Sequence, residues 1–248
     1  QALKTKATIA LQLEEELRNA LRQDQGLLLY YQPIYDLATG QVTKLEALIR
    51  WQHPTHGILA PDRFIAIAEA NGLIIDLDLW VLRHACADLA HLQRHGYGEV
   101  QVTVNCSAVT LSHDELPKEV EKALFHAALA PRHLELEVTE NALVGDIQRT
   151  VSLLKRVRAL GVALSIDDFG TGYSSLAYLK RLPLDVLKID RTFLQDVPGS
   201  QKDREIVQAI IAMAHTLHLR VVSEGVETAE QQAFLESHGC DYLQGYLL

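Results

Sequence analysis

Cysteine is scarce in this sequence, with only three in 248 residues. Cys86, Cys106 and Cys240 are widely spaced, and no two of them form a Cys-x-x-Cys pair. An odd number of scattered cysteines argues against a disulfide framework and is typical of buried free thiols in a reducing compartment. We therefore expect a cytoplasmic domain, although the full-length protein could be anchored to a membrane.

Long apolar runs and a signal peptide are also lacking. No stretch approaches the roughly 20 apolar residues that span a bilayer. The chain starts at Gln1 rather than Met and stops inside the apolar pair Leu247-Leu248. This pattern favours a domain taken from a longer protein.

Positive charge is in short supply. Lys and Arg total 23 against 32 Asp and Glu, which gives a net charge of −9. Neither a nucleic-acid polymer nor an anionic membrane attracts such a surface, so we expect this domain to contact neither of them. A small anionic ligand remains open if metal ions and a few cationic side chains supply local positive charge.

Hydrophobic residues are plentiful, at 48% of the chain, which is enough for a single barrel-sized domain with one core. Residues 8–22 predict an amphipathic helix because apolar residues recur four apart. These residues are Ile9, Leu13, Leu17 and Leu21. We interpret residues 1–22 as an N-terminal connector helix and residues 23–248 as a single barrel domain. A simple packing helix is the alternative for the first segment.

Eight short, mostly apolar runs predict strands, and helical stretches separate them from the second strand onward. The strands are Leu27–Ile34, Val42–Trp51, Val100–Ser107, Leu134–Thr139, Val162–Asp167, Val186–Asp190, Arg220–Glu224 and Tyr242–Leu248. Strands that alternate with helices indicate a parallel sheet, and eight of them indicate a closed barrel. The first connection, residues 35–41, is too short for a crossover helix, so strands one and two should be antiparallel. The predicted fold is an α/β, TIM-type (β/α)8 barrel with its first strand antiparallel to the rest.

Two adjacent carboxylates, Asp167 and Asp168, end the fifth apolar run. Neighbouring strand residues normally point to opposite faces, so this pair predicts a distorted strand end. Like charges near an apolar core are costly unless something positive joins them, and a divalent metal is the obvious candidate. The alternative is a solvated turn with helix-capping aspartates.

Other polar side chains occur in or just after the apolar runs. They are Glu46, Asn105, Glu137, Lys188, Glu224 and Gln244. In a barrel of this kind the active site gathers at the carboxyl ends of the strands, so these residues are predicted to converge. Oxygen ligands without His or Cys suit Mg²⁺ or Mn²⁺, and the two aspartates could hold two ions, as in phosphodiester hydrolysis. Each residue taken singly also has an ordinary structural explanation.

The ordered set of motifs resembles the EAL-domain cyclic di-GMP phosphodiesterases from about Leu13 to the end of the chain. The motifs are Tyr31-Gln32-Pro33-Ile34, Leu45-Glu46-Ala47-Leu48-Ile49-Arg50-Trp51, Asn105-Cys106-Ser107, Glu137-Val138-Thr139-Glu140, Asp167-Asp168-Phe169-Gly170-Thr171-Gly172-Tyr173-Ser174-Ser175, Leu187-Lys188-Ile189-Asp190, Glu224-Gly225-Val226-Glu227 and Gln244-Gly245-Tyr246. The resemblance implies a (β/α)8 barrel with a reversed first strand. It also implies hydrolysis of one phosphodiester bond of cyclic di-GMP to give linear pGpG.

The resemblance also assigns roles by position. The metal ligands would be Glu46, Asn105, Glu137, Asp167 and Asp168, binding Mg²⁺ or Mn²⁺, with two ions expected. Lys188 would orient or help activate the attacking water, and Glu224 and Gln244 would organise the metal-bound water. Arg50 would contact a substrate phosphate, while Gln32, Gln244 and the backbone around Leu48 would line the substrate cleft. A catalytically weak cyclic di-GMP receptor or interaction module is the alternative function.

A regulatory loop is implied as well. Glu140 resembles the glutamate that steadies the loop after Asp168, which in this family couples the metal site to a dimer interface. The loop comprises Phe169, Gly170, Thr171, Gly172, Tyr173, Ser174 and Ser175. The implied partners are a second copy of the chain, as a homodimer, and an upstream sensory or GGDEF-type domain in a signalling protein.

Overall fold

The fold is a closed barrel with helices outside it. The structure is a computed structural model that describes the backbone of residues 2–143, 147–170 and 179–247 and the side chains of residues 11–142, 147–170 and 179–247. The strands of this part are β1 (Leu27–Asp36), β2 (Gln41–His53), β3 (Gly57–Leu59), β4 (Gln101–Cys106), β5 (Leu134–Thr139), β6 (Ala163–Phe169), β7 (Val186–Ile189), β8 (Arg220–Ser223) and β9 (Tyr242–Leu243). The helices are α1 (Ala2–Gln23), α2 (Ile65–Ala70), α3 (Ile74–Arg94), α4 (Ala108–Leu111), α5 (Leu116–Ala127), α6 (Ile147–Ala159), α7 (Gln201–Thr216) and α8 (Ala229–Ser237).

Strand pairing confirms the predicted topology. β1 is antiparallel to both of its neighbours, β2 and β9. From β2 through β4 to β9, consecutive barrel strands pair in parallel. β3, which the sequence did not predict, forms a short antiparallel hairpin on the outer edge of β2. The reversed first strand is therefore confirmed, and it follows from the short loop after it.

The prediction of a seven-residue last strand is wrong. β9 pairs only at Tyr242 and Leu243, after which Val226 N–H donates to the Gln244 carbonyl and Leu247 N–H donates to the Val226 carbonyl. A Cβ at Gly245 would lie 2.1 Å from the Val226 carbonyl oxygen. The close approach of two backbones at this glycine therefore turns the chain out of the sheet.

Apolar residues on the outer faces of the strands pack against the helices and form the main core. Inside the barrel, Ile34, Val186, Val222 and Tyr242 form a second, smaller apolar cluster. Polar side chains from the same strands lie beyond this cluster, towards the carboxyl ends. The barrel interior is therefore filled by side chains, with a polar layer at the carboxyl ends of the strands, as expected for a barrel of this size.

α1 packs against the barrel and does not project freely. Leu17 is fully buried in the main core. Glu16 Oε2 lies 2.7 Å from the His53 Nε2 on β2, and the Trp80 indole N–H donates to Asp24 just after the helix. The role of residues 1–22 as a connector stays a prediction. Among the described helices, none is both long and apolar enough to cross a membrane.

Candidate metal centre

Every second side chain along a strand points into the barrel, and such inward-pointing side chains form the polar layer of the lumen. Register places Gln32 opposite Glu46 on β1 and β2, and Asn105 opposite Glu137 on β4 and β5. Lys188 on β7 and Glu224 after β8 complete the ring from the other side. The predicted convergence of these residues at the carboxyl ends of the strands is therefore observed.

The strand end at Asp167 and Asp168 is distorted, as the sequence predicts. The pairing of β6 with β7 shifts register between Ile166 and Phe169. Asp168 has a φ of 55°, in the left-handed region that Asp tolerates better than most residues. Ser165 pairs with the lumen-facing Glu137, so Asp167 lies on the lumen face by ordinary strand alternation, and the kink at Asp168 turns the chain towards Gly170.

Lys188 is the hub of the cluster. Its Nζ lies 2.5 Å from Glu137 Oε1, 2.6 Å from Glu224 Oε1, 3.3 Å from Glu46 Oε2 and 3.6 Å from Asp167 Oδ1. The lysine side chain is almost completely buried. One ammonium therefore holds together four carboxylates from four different strand ends.

Amides complete the hydrogen bonding around Glu46. Asn105 Nδ2 donates to Glu46 Oε1 over 2.9 Å, and Gln244 Nε2 donates to Glu46 Oε2 over 2.6 Å. Gln244 Nε2 also donates to Gln32 Oε1 over 3.1 Å. Asn105 and Gln244 thus fix the orientation of Glu46, and Gln32 holds the amide of Gln244.

Burial and the charges of neighbouring groups shift the pKa values of these residues in different directions. Burial alone would raise the pKa of Glu46, but the Lys188 charge and the amide hydrogen bonds outweigh it and lower that pKa. Burial raises the pKa of Glu137 well above its usual range against the pull of Lys188. Burial also raises the pKa of Glu224 to about 7. Burial opposes the charge on Lys188, yet the surrounding carboxylates raise its pKa well above normal.

The residues present fit divalent cations. Glu46, Glu137 and Glu224 each offer an oxygen, and these oxygens lie within 4.8 Å of one another. Among the described residues, two buried carboxylate oxygens, Glu137 Oε2 and Asp167 Oδ1, have no hydrogen-bond donor within normal reach. A buried carboxylate oxygen without a partner is costly, and a cation bound to oxygen ligands would satisfy it.

Leu48 and Arg50 follow Glu46 along β2, beyond the carboxylate cluster. The Arg50 guanidinium donates to the Ile49 carbonyl over 2.8 Å and lies over the Tyr30 ring. Leu48 lines a cleft of about 460 Å³ that also reaches Asn105. Of the residues predicted to bind substrate, Leu48 lines this cleft, while Gln32 and Gln244 contact each other in the barrel interior.

Glu140 contacts the start of the loop predicted to be regulatory. Its Oε2 accepts a hydrogen bond of 2.8 Å from Gly170 N–H, directly after Phe169, whose side chain is buried. A Cβ at Gly170 would lie 2.7 Å from the Phe193 ring, and the residue has a φ of 95°, so glycine fits this position for two reasons. Residues 171–175 of the predicted loop lie outside the described residues.

Sequence reasoning missed Glu69, Asp78 and Tyr30. The cleft beside Asn105 contains the carboxylates of Glu69 and Asp78 among apolar side chains. Asp78 Oδ2 accepts a hydrogen bond of 2.9 Å from Ser107 N–H, and burial raises the pKa of this carboxyl. The signal that could have found it is a charge inside the apolar run that opens α3.

The barrel and its acidic mouth together indicate a class of protein. Carboxylates that converge at the carboxyl ends of barrel strands, with oxygens that fit divalent cations, mark the candidate active site of a barrel enzyme. The model of the EAL domain family matches residues 14–248. The chain therefore belongs to the EAL domain family.

Known relatives match nearly the whole chain in sequence. Cyclic di-GMP phosphodiesterase NbdA of Pseudomonas aeruginosa is 61% identical over 245 residues, which cover 99% of this chain and 31% of NbdA. The bifunctional diguanylate cyclase/cyclic di-GMP phosphodiesterase MucR of the same organism is 46% identical over 96% of this chain and 35% of MucR. The chain thus spans about a third of the length of these two curated relatives.

Solved structures of relatives have the same fold as this chain. The MucR phosphodiesterase in complex with c-di-GMP is 45% identical, with a TM-score of 0.90 over 96% of both chains. The FimX EAL domain from Pseudomonas aeruginosa bound to c-di-GMP is 26% identical, with a TM-score of 0.87 over 95% of this chain and 94% of that one.

Proposed function

We propose that this domain hydrolyses one phosphodiester bond of cyclic di-GMP to give linear pGpG, using two Mg²⁺ or Mn²⁺ ions. The observation that carries the proposal is the convergence of four carboxylates on Lys188 at the barrel mouth. The phosphodiesterase names of the relatives support it. For a longer protein that contains this domain, we propose signalling through cyclic di-GMP.

The charge balance of the lumen favours more than one cation. Glu46, Glu137, Asp167 and Glu224 face a single ammonium, and Asp168 adds a further carboxyl at the rim. Burial raises the pKa of Asp168, and the neighbouring Asp167 charge adds to this effect. Two divalent ions would remove the remaining excess and would also let an acidic domain bind a dianionic substrate.

Glu46, Asn105, Glu137, Asp167 and Asp168 would hold the ions. When bound, divalent ions lower the pKa of water and neutralise the charge that develops on a phosphodiester under in-line attack.

Lys188 separates the carboxylates and keeps their oxygens facing the same space. In the proposed reaction its ammonium would also help orient the attacking water. Glu224, hydrogen-bonded to this ammonium, and Gln244 would fix the position of that water.

The cleft beside the metal centre would take a guanine base. A guanine edge presents two neighbouring N–H donors, on N1 and N2, and a carboxylate is a strong acceptor for such a pair. Asp78 supplies this carboxylate within a largely apolar cleft. In that cleft, Leu48 and Ile65 would make apolar contact with the face of the base. Arg50 suits the phosphate because a planar guanidinium can bind two oxygens.

Control by dimerisation is a further part of the proposal. The hydrogen bond from Gly170 N–H to Glu140 connects the loop after Asp168 to the end of β5. A homodimer that shifts this loop would move the ligand Asp168. An upstream sensory or GGDEF-type domain would supply the signal.

Chromatography of cyclic di-GMP incubated with the purified chain and Mg²⁺ or Mn²⁺ tests the function. We expect pGpG to form, Glu46→Gln to reduce turnover by at least 100-fold, and the exposed control Glu236→Gln to leave it unchanged. The loss follows from removing a charged ligand that faces the reacting phosphate. If calorimetry detects binding of cyclic di-GMP but no cleavage occurs, the enzyme proposal is contradicted and a receptor function is supported.

A further inference from the structure

Tyr30 is an exposed aromatic residue at the barrel mouth that has no role in the function proposed above. It lies on β1, two residues before Gln32, and its side chain is 46% exposed. A single exposed aromatic residue is ordinary on a protein surface. The position and neighbours of this one set it apart.

The neighbours along β1 fix the direction of its side chain. Tyr31 points outward, because its hydroxyl donates to Asp88 on α3 over 2.7 Å. Gln32 points into the lumen, where it accepts a hydrogen bond from Gln244. Since side chains alternate along a strand, Tyr30 lies on the lumen side together with Gln32.

The hairpin of β1 and β2 carries Tyr30 past the rim of the barrel. β2 pairs with β4 only as far as Ala47, whereas it continues to pair with β1 up to Trp51. Tyr30 is opposite Leu48 in this extension. Both residues therefore stand one pleat beyond the layer that contains Glu46.

The Tyr30 ring already has a cationic partner on one face. The Arg50 Cζ lies 5.4 Å from the centre of the ring, within the range of a cation–π interaction. Arg50 is the residue that would contact a substrate phosphate. With the guanidinium on one face and nearly half of the side chain exposed, the ring leaves another face open at the mouth.

We propose that Tyr30 is a substrate-binding residue that stacks on a purine base of the dinucleotide while its other face holds Arg50 beside the phosphate. The inference rests on the proposed function and adds a base-stacking site to it. Purine faces stack on aromatic rings whatever the base, so Tyr30 supplies affinity and orientation while the carboxylate of Asp78 supplies recognition of guanine.

The test compares Tyr30→Ala, Tyr30→Phe and the control Tyr97→Ala, a tyrosine that is 62% exposed in the loop after α3. Steady-state kinetics with cyclic di-GMP and Mn²⁺ give KM and kcat, and calorimetry in EDTA gives cyclic di-GMP affinity without turnover. We expect Tyr30→Ala to raise KM and Kd by roughly 5- to 100-fold, from typical base-stacking energies. We expect kcat to change less, because stacking acts on bound substrate and transition state alike.

Recovery of most of the loss by Tyr30→Phe identifies the ring as the active part, and Tyr97→Ala is expected to behave as wild type. A KM for Tyr30→Ala within twofold of wild type overturns the inference, and so does an equal loss in Tyr97→Ala. Wild-type protein that binds cyclic di-GMP in EDTA but does not cleave it in Mn²⁺ removes the proposed hydrolysis and leaves the stacking role measurable through Kd. Wild-type protein that neither binds nor cleaves it overturns both.

Discussion

At the scale of single residues, Lys188 decides whether the cluster can exist without metal. Four carboxylates within about 4 Å of one ammonium would otherwise repel in a site of low dielectric. Removing one partner of a buried ionic network leaves uncompensated charge, which typically costs about 3–5 kcal/mol. Stability and metal binding are therefore linked at this position.

We predict that Lys188→Met lowers the free energy of unfolding by about 3–5 kcal/mol in EDTA. The loss should be smaller in Mn²⁺, because bound cations replace the missing positive charge and stabilise the folded state. Urea denaturation with and without Mn²⁺ measures both values. The exposed control Lys122→Met, whose ion pair with Glu119 lies at the surface, should leave the free energy of unfolding nearly unchanged. Equal losses with and without Mn²⁺ would show that no cation takes the place of Lys188.

Asp78 gives a second prediction at this scale. Its folded pKa is raised by burial above the ordinary value of 3.8, so its stabilising contribution is present below the unfolded pKa and is lost as pH rises through the folded pKa. Asn cannot ionise, so Asp78→Asn does not lose this stability as pH rises. We therefore expect Asp78→Asn to be more stable than wild type at pH 7, with a difference that shrinks as pH falls towards 3.8.

The same substitution should weaken catalysis. An amide oxygen accepts one hydrogen bond from guanine less strongly than a carboxylate does, and its N–H group opposes the guanine donors. We expect a fall of roughly 10-fold or more in kcat/KM for cyclic di-GMP. Thermal melts over a pH series and steady-state kinetics measure the two effects. An unchanged kcat/KM would remove Asp78 from the guanine site.

At the scale of elements, the distortion of β6 shows what a sequence pattern can predict and what it cannot. Two adjacent charges after an apolar run predict a strand that ends irregularly, and the register shift after Ile166 confirms it. The pattern could not show that Asp168 takes a positive φ. That conformation depends on neighbouring chain segments such as Phe193, which packs against Gly170 from far along the sequence.

α1 supplies a prediction for an element. Leu17 is fully buried against the barrel, whereas Leu11 on the same helix is 67% exposed. Leu17→Ala should lower the free energy of unfolding by about 2–5 kcal/mol, because it removes methyl groups from a packed core and leaves a cavity. Leu11→Ala should change it by about 0.5 kcal/mol or less. Urea denaturation compares them, and similar effects at the two positions would contradict the docking of α1.

At the scale of the whole molecule, the barrel and most of its polar mouth could be predicted because they depend on local patterns. Strand and helix periodicity gave the topology, and polar residues at strand ends gave Glu46, Asn105, Glu137 and Lys188. Asp78 and Tyr30 were missed because their position depends on how α3 and the extended hairpin pack above the rim. Only the three-dimensional arrangement brings them to the mouth.

The central claim is that this acidic mouth binds two divalent ions. Anomalous diffraction from crystals of the chain grown with Mn²⁺ and cyclic di-GMP tests it most directly. We expect two anomalous peaks at the mouth, contacted by oxygens of Glu46, Glu137 and Asp167. A mouth without anomalous signal, with Lys188 still contacting all four carboxylates while cyclic di-GMP is bound, would contradict it.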